Sequence, residues 1–183
     1  MKTEIKYKGY FTVEVRETLC GKREVQVAHD SVSLLVYIPR WNKIVLLNQP
    51  RVGMMSKENP DGFTMELIAG RVDKDIPLKD IIIDEASKEA GISLRPEQIK
   101  LLNRGEPMAI SAGGTTEKSY LAFAEADPEQ ILEPLRTTWG DPQENEIIER
   151  YFIELEELND FECEDVRVFA LIQFLLRKKK SEE

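Results

Sequence analysis

The stretch Gly70 to Ile92, GRVDKDIPLKDIIIDEASKEAGI, constrains this chain more than any other. Pro77 suits a first helical turn and Gly91 suits the position just past a helix end, so Leu78 to Ala90 reads as a helix. Within it Glu85 and Glu89 stand four residues apart. Side chains at i and i+4 share one helix face. Two carboxylates stacked there can hold a hard divalent cation such as magnesium, which prefers oxygen ligands. Just upstream, Ala69-Gly70 offers bare backbone that can come close to a metal or a phosphate.

Strand patterns flank this helix on both sides. Residues 1 to 27 alternate apolar and polar, with Phe11, Val13 and Val15 set against Thr12, Glu14 and Arg16, which predicts an antiparallel hairpin turning near Gly21-Lys22. Ser31 to Ile38 is a buried strand, Pro39 to Asn42 a turn, and Lys43 to Asn48 a returning strand. Met54 to Gly62 is polar and turn-rich, so it reads as a loop. Further strands are expected at Phe63–Ala69, Ile99–Glu106, Lys118–Glu125 and Ile148–Ile153. Glu154 to Phe161 opens a helical region, Val166 to Arg177 is an amphipathic helix, and the tail 178–183 is expected to be disordered. Strands on both sides of a helix, closed by a second helix, define an α/β chain with a mixed sheet between helical layers.

The spacing around the helix resembles the Nudix box, G-x5-E-x7-R-E-U-x-E-E-x-G-U, where U is aliphatic. Gly70, Glu85, Ala86, Glu89, Gly91 and Ile92 fall on it without insertion. Three positions depart: Ile76 replaces a glutamate, Asp84 the arginine, and Lys88 the middle glutamate. Around the box, Glu66-Leu67-Ile68-Ala69-Gly70-Arg71-Val72-Asp73 is similar to the ELPAGLID-type segment of the ADP-ribose and nucleotide-sugar pyrophosphatase branch. Leu46 to Arg51 is similar to that branch's strand ending in Gln-x-Arg, Ile110 to Glu117 to its SPGGxTE loop, and Glu144-Asn145-Glu146 to its acidic ENEDI loop. The resemblance implies a Nudix-type α/β/α sandwich with a mixed β-sheet plus an N-terminal β-hairpin. It divides the chain into an extension (1–29), a core (30–177) and the tail. It also implies that the N-terminal strands build a homodimer; capping the sheet is the other role open to them.

At 183 residues the chain is one domain with a real core. Its net charge of −9 argues against a nucleic-acid binder held by phosphate contacts. The same charge leaves a phosphate substrate open if bound cations carry the local positive charge. No apolar run reaches membrane-spanning length and no signal-peptide core is present, so a cytoplasmic protein is expected. Cys20 and Cys163 are far apart and read as free thiols of a reducing compartment. His29, the only histidine, reads as structural.

Pyrophosphate hydrolysis needs cations on the bridging oxygens, an activated water, and donors that hold the phosphates. Glu85 and Glu89 can ligate magnesium or manganese; by resemblance, the Ala69 carbonyl completes the metal's shell and Glu85 serves the chemistry as well. Also by resemblance, Glu146 positions or deprotonates the water with Glu144 as its companion, although Ile147 replaces the family's following aspartate. Arg51 has the fork that suits phosphate oxygens, and a salt bridge to Glu66 is equally open to it. Glu66, Gly113, Gly114 and Thr115 join it as substrate-binding candidates, the glycine loop through exposed amides, and Arg71 is an extra phosphate contact. Asp84 and Lys88 are themselves i and i+4 and can pair. Compensated exchange leaves a working enzyme that splits a nucleoside diphosphate linked to X into a nucleoside monophosphate and phosphorylated X; decay leaves a weak nucleotide-sugar binder. Ala112 stands where the branch has a proline associated with ADP-ribose, so GDP-mannose and other nucleotide sugars stay open.

Overall fold

The computed structural model describes residues 3–140 and 146–182. In chain order its strands and helices are β1 (Thr3–Lys8), β2 (Thr12–Thr18), β3 (Gly21–Val27), β4 (Ser31–Ile38), β5 (Lys43–Pro50), β6 (Phe63–Glu66), β7 (Ile68–Arg71), α1 (Leu78–Ala90), β8 (Ile99–Leu101), β9 (Met108–Ala109), β10 (Lys118–Glu125), β11 (Thr138–Trp139), β12 (Ile148–Glu154) and α2 (Val166–Lys180). Strands β1–β3 form a separate antiparallel sheet, so the expected hairpin gains a third strand. The other nine described strands form one mixed sheet, ordered β11-β12-β5-β4-β10-β8 along its main path. Within it β4 and β10 run parallel and the remaining pairs are antiparallel.

All eight residues of β4 are buried, as a central strand covered on both faces requires. Alternate side chains point to opposite faces. Val32, Leu34, Val36 and Ile38 join Ile81, Ile82, Ala86 and Ala90 of α1 in one core. Leu35 and Tyr37 join Val168, Leu171, Ile172 and Leu175 of α2 in the other. The result is a sheet between two helices, the α/β/α sandwich expected from the sequence. Among the described residues no helix is long and apolar enough to cross a membrane.

The run Phe63 to Ala69, expected as one strand, is two. β6 pairs with β5, β7 pairs with β4, and Leu67 between them turns into the α2-side core. The cause lies in β4 and β5, which pair only from Val36–Val45 to Ile38–Lys43 and then diverge. Each broken half satisfies one open edge, β6 that of β5 and β7 that of β4.

Other corrections are local. The strand expected over Ile99–Glu106 stops at Leu101, because Asn103 and Arg104 take positive φ in a tight turn. The β2–β3 turn centres on Leu19-Cys20, just before the expected Gly21-Lys22. Part of the expected disordered tail is helical: α2 continues to Lys180, and Lys178 Nζ reaches Glu125 Oε1 at 2.9 Å. Cys20 and Cys163 are free thiols, and His29 is exposed.

Candidate active site

The candidate site gathers residues from four elements. Gln49 and Arg51 come from the end of β5 and the residue after it, Glu66 from β6, Ala69 and Gly70 from β7, and Glu85 and Glu89 from α1. Helix α1 lies against β7. Gly70 makes the close packing possible: a Cβ there would sit 2.4 Å from Glu85 Cγ and 2.8 Å from its Oε1. The bare backbone expected to approach a ligand makes room for the Glu85 carboxylate itself.

Glu89 is only 5% exposed, and its Oε2 accepts a 2.9 Å hydrogen bond from the Ala69 N–H. Burial pushes its pKa up to about 8; the Ala69 bond offsets part of this, the charges of Glu85 and Glu146 add to it, and Arg51 pulls the other way. Glu85 is also raised, chiefly by burial; Lys88 and Lys74 offset that, and Asp84 and Glu146 add to it. Glu89 therefore feels the charges of Glu85 and Glu146, and Glu85 feels that of Glu146. Glu144, the expected companion of Glu146, lies outside the described residues.

Arg51 and Glu66 form the salt bridge. Arg51 Nε lies 3.0 Å from both Glu66 oxygens and Nη2 lies 2.7 Å from Oε2. Gln49 Nε2 donates to the same Oε2 at 3.1 Å. Glu66 is thus a buried, fully engaged acceptor, while the Arg51 side chain remains 47% exposed. Arg71 is exposed. Asp84 and Lys88 pair at 2.7 Å, and Lys74 approaches the same Asp84 oxygen at 3.8 Å.

The glycine loop differs from expectation. Gly114 and Thr115 donate their N–H groups to the Ser111 carbonyl, and Thr116 donates to the Gln26 carbonyl. These amides close a turn and tie it to β3, so they do not face outward as free donors. Thr116 Oγ1 and Glu117 extend the tie to Ala28 and Ser31. Between this loop and the N-terminal sheet lies a cleft of about 390 Å³ lined by Arg16, Thr18, Arg23, Glu24, Val25, Ala112 and Gly113.

The sequence reading missed two contributors. Gln49 holds Glu66, and the motif Gln-x-Arg held the clue. Arg167 pairs with Asp165 at the start of α2. Burial works against its charge, but the Asp165 bonds outweigh that and raise its pKa, and the charges of Glu66 and Glu117 act on it too. Nothing in the spacing of residue 167 from residue 66 announces that meeting.

Among the described residues no three His, Cys, Asp or Glu side chains close around one point as a ready metal cage. The two helix carboxylates nevertheless suit magnesium, which keeps several waters and commonly uses only one or two protein carboxylates. A buried acid whose pKa is raised by burial and by a neighbouring carboxylate gains from a nearby cation.

A helix presenting two acids into a split mixed sheet is the arrangement of a pyrophosphatase of the Nudix class. The chain is 31% identical to GDP-mannose pyrophosphatase of Enterobacter over 163 residues, covering 87% of this chain and 80% of that protein. It is 32% identical to GDP-mannose pyrophosphatase of Klebsiella pneumoniae over 158 residues, covering 84% and 74%. It is 26% identical to ADP-ribose pyrophosphatase of Haemophilus influenzae over 170 residues, covering 86% and 74%. No family model matches the chain. On these relatives the chain belongs to the Nudix hydrolase family.

Proposed function

We propose that this chain hydrolyses the pyrophosphate bond of a nucleoside diphosphate linked to a second group, ADP-ribose or a nucleotide sugar, with magnesium or manganese held by Glu85 and Glu89. The carrying observation is the meeting of Glu85 and Glu89 on α1 with Gly70 and Ala69 of β7, where the charges of Glu146 and Arg51 act on Glu89. A cation bound there would supply charge neutralisation at the pyrophosphate and polarise water. Glu89 and Glu85 would hold it as carboxylates, and the Ala69 carbonyl would add a third oxygen. Glu146 orients the attacking water and accepts its proton. Arg51, anchored by two of its nitrogens on Glu66, offers its exposed remainder to a phosphate oxygen. Water attack on phosphorus then releases a nucleoside monophosphate and the phosphorylated second group.

Chromatography of the products tests this reading. Incubation with GDP-mannose should give GMP and mannose phosphate, or with ADP-ribose AMP and ribose phosphate. GDP with free mannose would mean cleavage of the sugar–phosphate bond instead of the pyrophosphate and would overturn it.

The Asp84–Lys88 pair supports compensated exchange. Asp84→Arg alone should lower the rate, because the new arginine would face Lys88 with like charge. Asp84→Arg with Lys88→Glu should return the rate to the parent's or above, and the coupling term of this cycle is the measurement. Additive effects would refute compensation.

The reading includes a homodimer in a cytoplasmic setting. All of β1 is exposed, and Ile5 and Tyr7 are 58% and 59% exposed on it, with Tyr10, Phe11 and Leu19 nearby in sequence and also exposed. Such unpartnered apolar residues on an edge strand support a self-associating sheet. The full chain should sediment as a dimer at micromolar concentration, and a truncation starting at Asp30 should lose that state; a monomeric full chain would contradict it.

A further inference from the structure

Arg150 is the least expected residue of the core. It stands on β12 between Ile148 and Phe152, on the strand face that packs toward α1, where alternation calls for an apolar side chain. It is 3% exposed, yet no ion pair involving it occurs among the described residues. Buried charge without a carboxylate is costly, and desolvation, with Arg136 nearby, pulls its pKa down to about 10.

Its bonds all go to backbone carbonyls. Nη1 donates to Ala90 at 2.5 Å and to Leu132 at 3.2 Å, and Nη2 to Glu133 at 2.7 Å and Arg136 at 2.9 Å. Ala90 is the last residue of α1, so the guanidinium caps the helix that carries Glu85 and Glu89, where a cation is favoured. The other three carbonyls belong to the segment that leads into β11. The guanidinium also lies 4.7 Å from the Trp139 ring centroid and 5.0 Å from that of Phe152.

Trp139 continues the chain of contacts. A Cβ at Gly91 would fall 1.9 Å from its ring, so the indole rests directly on the glycine that ends α1. The next residue, Gly140, has φ +102° and packs on Glu146, where an added Cβ would lie 2.8 Å from the Glu146 Cβ. Trp139 also pairs with Ile148, two residues beyond Glu146.

We infer that Arg150 is a positioning residue for the hydrolytic reaction: by tying the end of α1 to the segment 132–139 and stacking on Trp139, it fixes Glu146 relative to Glu85 and Glu89. The inference rests on the reading of Glu146 as the residue that handles the attacking water. An arginine suits the task because its planar fork reaches four carbonyls at once, which a lysine cannot.

A double-mutant cycle in the full-length chain tests it, with GDP-mannose or ADP-ribose, whichever is hydrolysed faster, as the probe. Arg150→Lys should lower kcat by about tenfold or more, as small displacements of a reacting group do, with KM changed by less than about twofold. In a Glu146→Gln background the same change should cost less than about twofold, because the group it positions is already gone. Equal losses in the two backgrounds, or a raised KM with kcat intact, would overturn the inference and leave Arg150 a structural residue. If Arg150→Lys shows no cooperative unfolding transition, Trp139→Phe, which spares all four carbonyl bonds, passes through the same cycle with the same expectation. A Glu146→Gln chain at full rate would instead sink the loop-glutamate reading itself.

Discussion

Replacing Glu85 or Glu89 by glutamine is expected to lower magnesium-dependent hydrolysis by about a hundredfold or more, the usual cost of losing one group that stabilises developing charge. Glutamine keeps the size of each side chain, so Gly70 should still pack on position 85 and the Ala69 N–H should still find an oxygen at position 89. What is lost is the negative charge that holds the cation. Steady-state rates over a range of magnesium concentrations check this. Variants that merely need more magnesium would show a weakened site, and near-parent rates in either variant would place the metal elsewhere.

The same Glu89→Gln change should make the metal-free chain more stable at neutral and mildly alkaline pH. The Glu89 pKa is raised from 4.5 to about 8 in the folded chain. A carboxyl raised in this way contributes its full stability below the unfolded value and loses it as pH climbs to the folded one. The metal-free parent should therefore weaken steadily from about pH 4.5 to about pH 8, at up to about 1.4 kcal/mol per pH unit from this group, and then level off. Glutamine carries no such titration. Thermal unfolding in a chelator at several pH values compares the two chains, and Glu89→Gln should gain most near pH 8, by several kcal/mol in order of magnitude. Magnesium should restore the parent by binding the ionised carboxyl. Parallel pH profiles for parent and variant would show that Glu89 ionises freely.

Both results meet at Glu89 because the site trades stability for charge. A buried acid held by a single backbone N–H is unfavourable alone and useful beside a cation. The box helix was legible because its signals are local: Pro77 before it, Gly91 after it in the left-handed conformation at φ 60°, and the acids four apart. Strand β4 was legible because a continuous apolar run covered on both faces has few alternatives. The split at Leu67 was not, since the run Phe63 to Ala69 reads as continuous and breaks only because β4 and β5 part company, a tertiary fact. The short strands β9 and β11 escaped for the same reason: two residues carry no periodicity.

The site was legible in its parts and less so in its contacts. Arg51 and Glu66, fifteen residues apart in sequence, were foreseen as partners, and the structure adds Gln49 as a third member. The glycine loop was read as open backbone, but the Gly114, Thr115 and Thr116 amides are spent on Ser111 and Gln26. Arg150 left one trace, a cation in the middle of an apolar strand. Its carbonyl partners could not be read from the sequence because backbone acceptors carry no residue signature.

The central claim is that this scaffold performs metal-dependent cleavage at phosphorus. It is tested most directly by stripping the chain of metal, then titrating magnesium while following nucleoside monophosphate release from ADP-ribose, GDP-mannose and UDP-sugars. The account predicts no release in chelator and saturable, magnesium-dependent release from at least one of these substrates. Equal release with and without magnesium, or none from any substrate at any magnesium concentration, would contradict it.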